Sequence, residues 1–60
     1  MKTMYAKHDV WLATGIACQK GNAYLIDDSH PSTGYDVLSK DGTFLYRTTW
    51  ANIAFDFQTA

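Results

Sequence analysis

The dipeptide Asp41-Gly42 constrains this chain more than any other feature, because it lies between two β-rich runs, Tyr35-Asp36-Val37-Leu38 and Phe44-Leu45-Tyr46-Arg47-Thr48. Asp-Gly in that setting signals a hairpin: a type I′ turn needs positive φ at both central residues, and Asp and Gly tolerate it best. With a two-residue loop, Leu38 faces Leu45, Val37 faces Tyr46, Asp36 faces Arg47, Tyr35 faces Thr48 and Lys40 faces Thr43. One face then carries Tyr35, Val37, Phe44 and Tyr46. The other carries Lys40, the Leu38 and Leu45 pair and an Asp36 to Arg47 ion pair. A four-residue loop over 39–42 keeps this division, whereas a three-residue loop sets Asp36 beside Tyr46 on the face of Leu38 and Phe44.

The hairpin belongs to a single domain, 1–60, small enough that only about 60% of the unfolded surface is buried on folding. Cys18 is the only cysteine, so no intrachain disulfide forms and a disulfide-stapled miniprotein is excluded. Stability must come from apolar burial. Aromatic residues make up 15% of the chain, more than so small a core holds, so some are expected at the surface, where Trp and Tyr favour contact sites.

Charge narrows the function classes. The formal net charge is −1, and Lys2, Lys7, Lys20, Lys40 and Arg47 never adjoin, which argues against a dedicated nonspecific nucleic-acid binder. All six acids are Asp, a residue of turns and caps rather than helix interiors. The longest uncharged run, residues 10–19, is too short to span a bilayer, so a soluble, cytoplasmic protein with no membrane association is expected.

Residues 1–9 alternate as a strand, Met4, Ala6 and His8 sharing one side, although Met4, His8, Trp11 and Leu12 also fit a helical face; a strand is expected, with a short N-terminal helix as the alternative. Residues 10–28 read as a second hairpin turning at Gln19-Lys20-Gly21, with Gly15 as a bulge or bend inside its first strand. Residues 27–34, Asp-Asp-Ser-His-Pro-Ser-Thr-Gly, form a polar loop. After Trp50, Ala51-Asn52 makes one tight turn, and a last strand over 53–58 points Ile53, Phe55 and Phe57 to one side. The fold class is therefore all-β: a small curled antiparallel sheet or barrel of four to five strands.

The succession of strand, glycine-containing bend, strand, polar loop, Tyr35-Asp36-Val37, Asp41-Gly42 and a strand ending in Trp50-Ala51-Asn52-Ile53-Ala54-Phe55 resembles the SH3-like small barrels of the Tudor and KOW type over residues 10–57. The resemblance implies a distal hairpin followed by a single helical turn and a closing strand. The Ala-Leu-Tyr-Asp-Tyr signature of peptide-binding SH3 domains is absent, and so are the basic loop residues of a KOW-type RNA binder.

Few residues offer chemistry. Asp27, Asp28 and His30, with His8 and Asp9, are competent metal donors, but their spacing matches no metal motif, and an Asp-Asp-Ser-His stretch reads as a solvated turn. A lone cysteine in a strand is a small hydrophobe, and the four glycines are isolated, with no phosphate loop. No enzyme activity, cofactor or metal is expected. Surface recognition is: a protein-binding module, of the kind found among small phage accessory proteins that dock on a host enzyme and block it sterically. The partner-binding residues expected are Leu38, Leu45, Asp36, Arg47, Trp50, Trp11, Asp27 and Asp28. The alternatives are a single-stranded nucleic-acid binder that stacks bases on aromatic residues and a homo-oligomer built on exposed strand edges.

Overall fold

The structure, a computed structural model, describes all residues 1–60. The elements in order are β1 (Lys2–Ala6), β2 (Val10–Leu12), β3 (Gly15–Cys18), β4 (Ala23–Asp27), β5 (Tyr35–Leu38), β6 (Phe44–Thr48), α1 (Trp50–Asp56) and β7 (Phe57–Thr59). Five strands form one antiparallel sheet in the order β6-β5-β4-β1-β7, and β2 and β3 form a separate two-stranded ribbon. The first segment is the expected strand. The sheet is not closed: β6 and β7 are its edges.

Alternation along the strands sends one set of side chains to a shared core: Met4 and Ala6 from β1, Tyr24 and Ile26 from β4, Val37 from β5 and Phe57 from β7. The ribbon and the helix cover this face with Cys18 and Ile53, and Val10 and Ala17 pack against it. Gln19 donates its backbone N–H to the Tyr24 hydroxyl at 2.8 Å, so the phenol of this buried ring is satisfied.

Three expectations are corrected. Residues 10–18 do not run as one strand of a hairpin with β4; they fold back on themselves, Trp11 facing Ile16 and Leu12 facing Gly15. Gly15, at φ +132°, opens β3 directly after the turn at Ala13-Thr14, so it serves the bend between two strands rather than a bulge within one. Accordingly β4 pairs with β1 and β5 instead of with β3.

The distal hairpin differs at its tip. Asp41 does not take positive φ; Gly42 alone does, at +90°, and Ser39 donates to the Thr43 carbonyl at 2.8 Å, closing a three-residue loop. Leu38 therefore faces Phe44. A bulge at Leu45 then restores the expected register, Val37 to Tyr46, Asp36 to Arg47 and Tyr35 to Thr48. The consequence is an exchange of faces: Leu45, expected outside, packs against the core, and Phe44, expected inside, is 56% exposed.

The last segment is largely helix. Thr49 caps α1, its hydroxyl accepting from the Asn52 N–H. Ile53 and Phe57, four residues apart, turn inward, whereas Phe55 is 71% exposed rather than inside as expected. The alternation of Ile53, Phe55 and Phe57 fits a strand, but a helix satisfies Ile53 and Phe57 equally and gains the cap. Lys7 fixes the far end: its N–H donates to the Asp56 carbonyl at 2.8 Å and its ammonium to the Ala54 carbonyl at 3.1 Å, which places a cation at the negative end of the helix.

Candidate protein-docking site

The end of the sheet where β4 stops and β5 begins gathers five of the expected residues. Asp27 closes β4 directly opposite Asp36 of β5, and Asp36 is opposite Arg47 of β6. Arg47 donates from Nε to Asp36 Oδ1 at 2.7 Å and from Nη2 to Oδ2 at 3.5 Å. This pairing and its charge hold the guanidinium above its ordinary range. Asp27 Oδ1 accepts from the Ser29 hydroxyl at 2.6 Å and the Ser29 N–H at 3.0 Å, which lowers the Asp27 carboxyl below its ordinary value.

The loop over 28–34 folds on itself, with Thr33 donating N–H and hydroxyl to the His30 carbonyl, each at 3.1 Å. It returns to the sheet at Gly34, whose φ is +116°. A Cβ there would lie 3.1 Å from Arg47 Cγ and 3.2 Å from the Thr48 carbonyl oxygen, so glycine alone lets the loop lie this close to β6.

Trp50, the first residue of α1, stands over this loop. Its ring lies 5.4 Å from that of Tyr35, tilted by 48°, and the Lys2 ammonium lies 5.4 Å from its centroid. Lys2 is held in turn by Asp28, 3.8 Å from Nζ to Oδ2, and the amino terminus approaches the other oxygen of Asp28 at 3.4 Å. Trp50 remains 44% exposed. Two shallow clefts meet at Tyr35 and Trp50, one bounded by Pro31, Gly34 and Arg47, the other by Lys2, Asp28 and Pro31.

Asp27, Asp28, Asp36, Arg47 and Trp50 therefore converge at one end. Leu38 lies on the adjoining open face of the sheet, between Leu25 and Phe44. Leu45 is withdrawn from the site, since the bulge turns it to the core. Trp11 is 69% exposed but belongs to the ribbon, outside both clefts. Both tryptophans are thus exposed, in keeping with an aromatic content beyond what the core holds.

Sequence reasoning missed Tyr35, Lys2 and Pro31 as site residues. Tyr35 carried a signal, because its pairing with Thr48 brings it within reach of the residues that follow β6; Lys2 carried none, since its place depends on β1 joining β4. No cluster of three or more His, Cys, Asp or Glu side chains is placed to hold a metal ion. No helix is long and apolar enough to cross a membrane. No protein-family model matches the chain, and neither a curated protein nor a solved structure matches it.

Proposed function

We propose that this chain is a non-enzymatic protein-binding module that docks on a larger protein through the Trp50 end and acts by covering its surface. The observation that carries this reading is the fixing of Trp50, which is held between Tyr35 and Lys2 while leaving 44% of its surface in solvent. An aromatic anchor already ordered before contact loses little conformational freedom on binding, which is what an interface hot spot requires. Asp28, Asp36 and Arg47 surround it as a polar rim, and each is already engaged in an ion pair. Paired groups of this kind present contacts rather than a reactive centre. The three cations at this end, Lys2, the amino terminus and Arg47, are matched in number by the carboxylates of Asp27, Asp28 and Asp36, which leaves no positive excess and weighs against the nucleic-acid alternative.

The SH3-like reading of the fold is part of the same proposal. Its support is the strand order, in which the last strand returns after a single short helix to pair with the first, Tyr5 facing Gln58 and Ala6 facing Phe57.

The test compares tagged parent chain with a Trp50→Ser variant and an Asp36→Ala, Arg47→Ala variant, each shown to be folded by circular dichroism, in capture from host lysate. One stoichiometric protein held by the parent and lost by Trp50→Ser is the expected result. An empty capture with the folded parent, or a partner indifferent to Trp50→Ser, overturns the proposal.

A further inference from the structure

The core lies on one face of the five-stranded sheet; the opposite face has no covering layer. Across it runs an unbroken row of directly opposed residues, Thr3 of β1, Leu25 of β4, Leu38 of β5 and Phe44 of β6. Phe44 is 56% exposed and Tyr5, one row away, 39% exposed. Below the row stand Asp27, Asp36 and Arg47. Two carboxylates opposed on neighbouring strands repel each other, and one guanidinium leaves that row one negative charge in excess. Above the row, Lys40 borders a shallow cleft with Tyr5, Ala23 and Ser39. It is exposed, and none of the ion pairs of the chain engages it.

We infer that this face binds a second copy of the chain, related by a two-fold axis that lies along the apolar row, perpendicular to the strands. Such an axis places Leu25, Leu38 and Phe44 of one copy on the same residues of the other, an isologous contact. It also exchanges the rows on either side. Asp36 and Leu38 lie on β5, and Lys40, in the tip loop two residues further on, borders the Ala23 row, so rotation about Leu38 brings Lys40 of each copy toward Asp36 of the other. On β4 the order is Ala23, Leu25, Asp27, so a small side chain stands where the partner's Asp27 needs room. The two-fold supplies the cation that the acidic row lacks, twice over. An axis along the strands would instead set acids against acids.

Four strands at about 4.8 Å and three rows at about 6.7 Å give a patch of roughly 400 Å² per copy, about 800 Å² in all. That is below the standard size of a stable interface, so the dimer is a weak, fast-exchanging one. The inference does not rest on the docking role of Trp50, although Asp36 borders both surfaces, and Trp50→Ser is expected to leave the dimer unchanged.

Sedimentation equilibrium from 20 µM to 2 mM tests it. The parent is expected to pass from monomer to dimer over this range, with concentration-dependent amide shifts at Leu25, Leu38 and Phe44. Phe44→Lys, an exposed change, is expected to weaken the dimer at least 10-fold. Lys40→Asp and Asp36→Lys each set like charges together and are expected to remain monomeric, whereas their equimolar mixture pairs opposite charges at both contacts and recovers dimer. A folded parent that stays monomeric at 2 mM, a dimer that Phe44→Lys leaves intact, or a mixture that recovers nothing overturns the inference.

Discussion

His8 Nε2 lies 2.7 Å from Asp56 Oδ1, joining residues 48 positions apart in the chain. An ionised carboxylate only accepts, so the Nε2–H of His8 is the donor, and the contact ties the link between β1 and β2 to the last residue of α1. The His8 ring also lies 5.2 Å from that of Phe55. His8→Ala removes both contacts and leaves the Asp56 carboxylate, whose side chain is 18% exposed, to solvent alone. The expected cost is about 1 kcal/mol of unfolding free energy. Urea unfolding at pH 7 measures it; a midpoint equal to that of the parent would show that the clamp contributes nothing.

The bulge in β6 makes a sharper prediction, because it reverses the ordinary expectation for two neighbouring apolar residues. Leu45→Ala removes a side chain packed against the core and is expected to cost about 1 to 3 kcal/mol, below the range for full burial because Leu45 is half-buried. Phe44→Ala, the larger truncation, falls on an exposed position and is expected to change stability by less than about 0.5 kcal/mol in dilute solution. Thermal melting of the two variants at 10 µM decides between this register and one without the bulge, for which the order reverses.

These two residues also mark where the sequence stopped being legible. Pairing of Val37 with Tyr46, Asp36 with Arg47 and Tyr35 with Thr48 followed from Asp41-Gly42 and the alternation around it, and the structure has all three. What alternation does not encode is one extra residue on one strand, so the tip was read a residue short and Phe44 and Leu45 changed places. Residues 53–57 failed for a related reason: Ile53 and Phe57 lie on one side of a strand and one side of a helix alike, and the deciding group, the Thr49 hydroxyl, lies outside the segment. Of the site, the Asp36 to Arg47 pair was visible in the hairpin register, whereas the place of Asp27 opposite Asp36 depends on β4 joining β5, which reading residues 10–28 as one hairpin did not foresee. The contact of Lys2 with Trp50 spans nearly the whole chain and has no local signature.

Cys18 and Tyr46 predict an alkaline limit to stability. The thiol is fully buried, its sulfur 3.9 Å from the Tyr46 hydroxyl. Burial raises the thiol above its ordinary range, against a smaller lowering by the Tyr46 hydrogen bond; burial first, then the charge of Cys18, raises the Tyr46 phenol far above its own. Both groups hold their protons more tightly in the folded chain. Their contribution is complete at neutral pH and is lost as the unfolded thiol, then the unfolded phenol, begin to ionise above roughly pH 8.5 and pH 10. The urea midpoint is expected to fall between pH 7.5 and pH 10.5, and Tyr46→Phe to lessen that fall while leaving the value at pH 7.5 near that of the parent. A flat profile would count against the buried pair. Native Cys18 is likewise expected to resist Ellman's reagent at pH 8 until urea unfolds the chain.

Gly34 and Gly42 separate two reasons for glycine. At Gly42, φ is +90° and a Cβ would meet nothing within 4 Å, so the penalty for substitution is that of the backbone alone. Gly42→Ala is expected to cost about 1 to 2 kcal/mol, and Gly42→Val more, since a β-branched residue enters positive φ least readily. At Gly34 the same backbone penalty applies, at φ +116°, and the added Cβ also meets Arg47 Cγ at 3.1 Å and the Thr48 carbonyl oxygen at 3.2 Å. The Arg47 side chain can swing aside, but only by leaving Asp36, and the carbonyl cannot. Gly34→Ala is therefore expected to be the more destabilising of the two alanine variants and to disturb the Trp50 end, where Gly34 and Arg47 share a cleft wall. Unfolding midpoints and Trp50 fluorescence, read on both variants, check the order; equal midpoints with unchanged fluorescence would mean that the loop does not lie against β6.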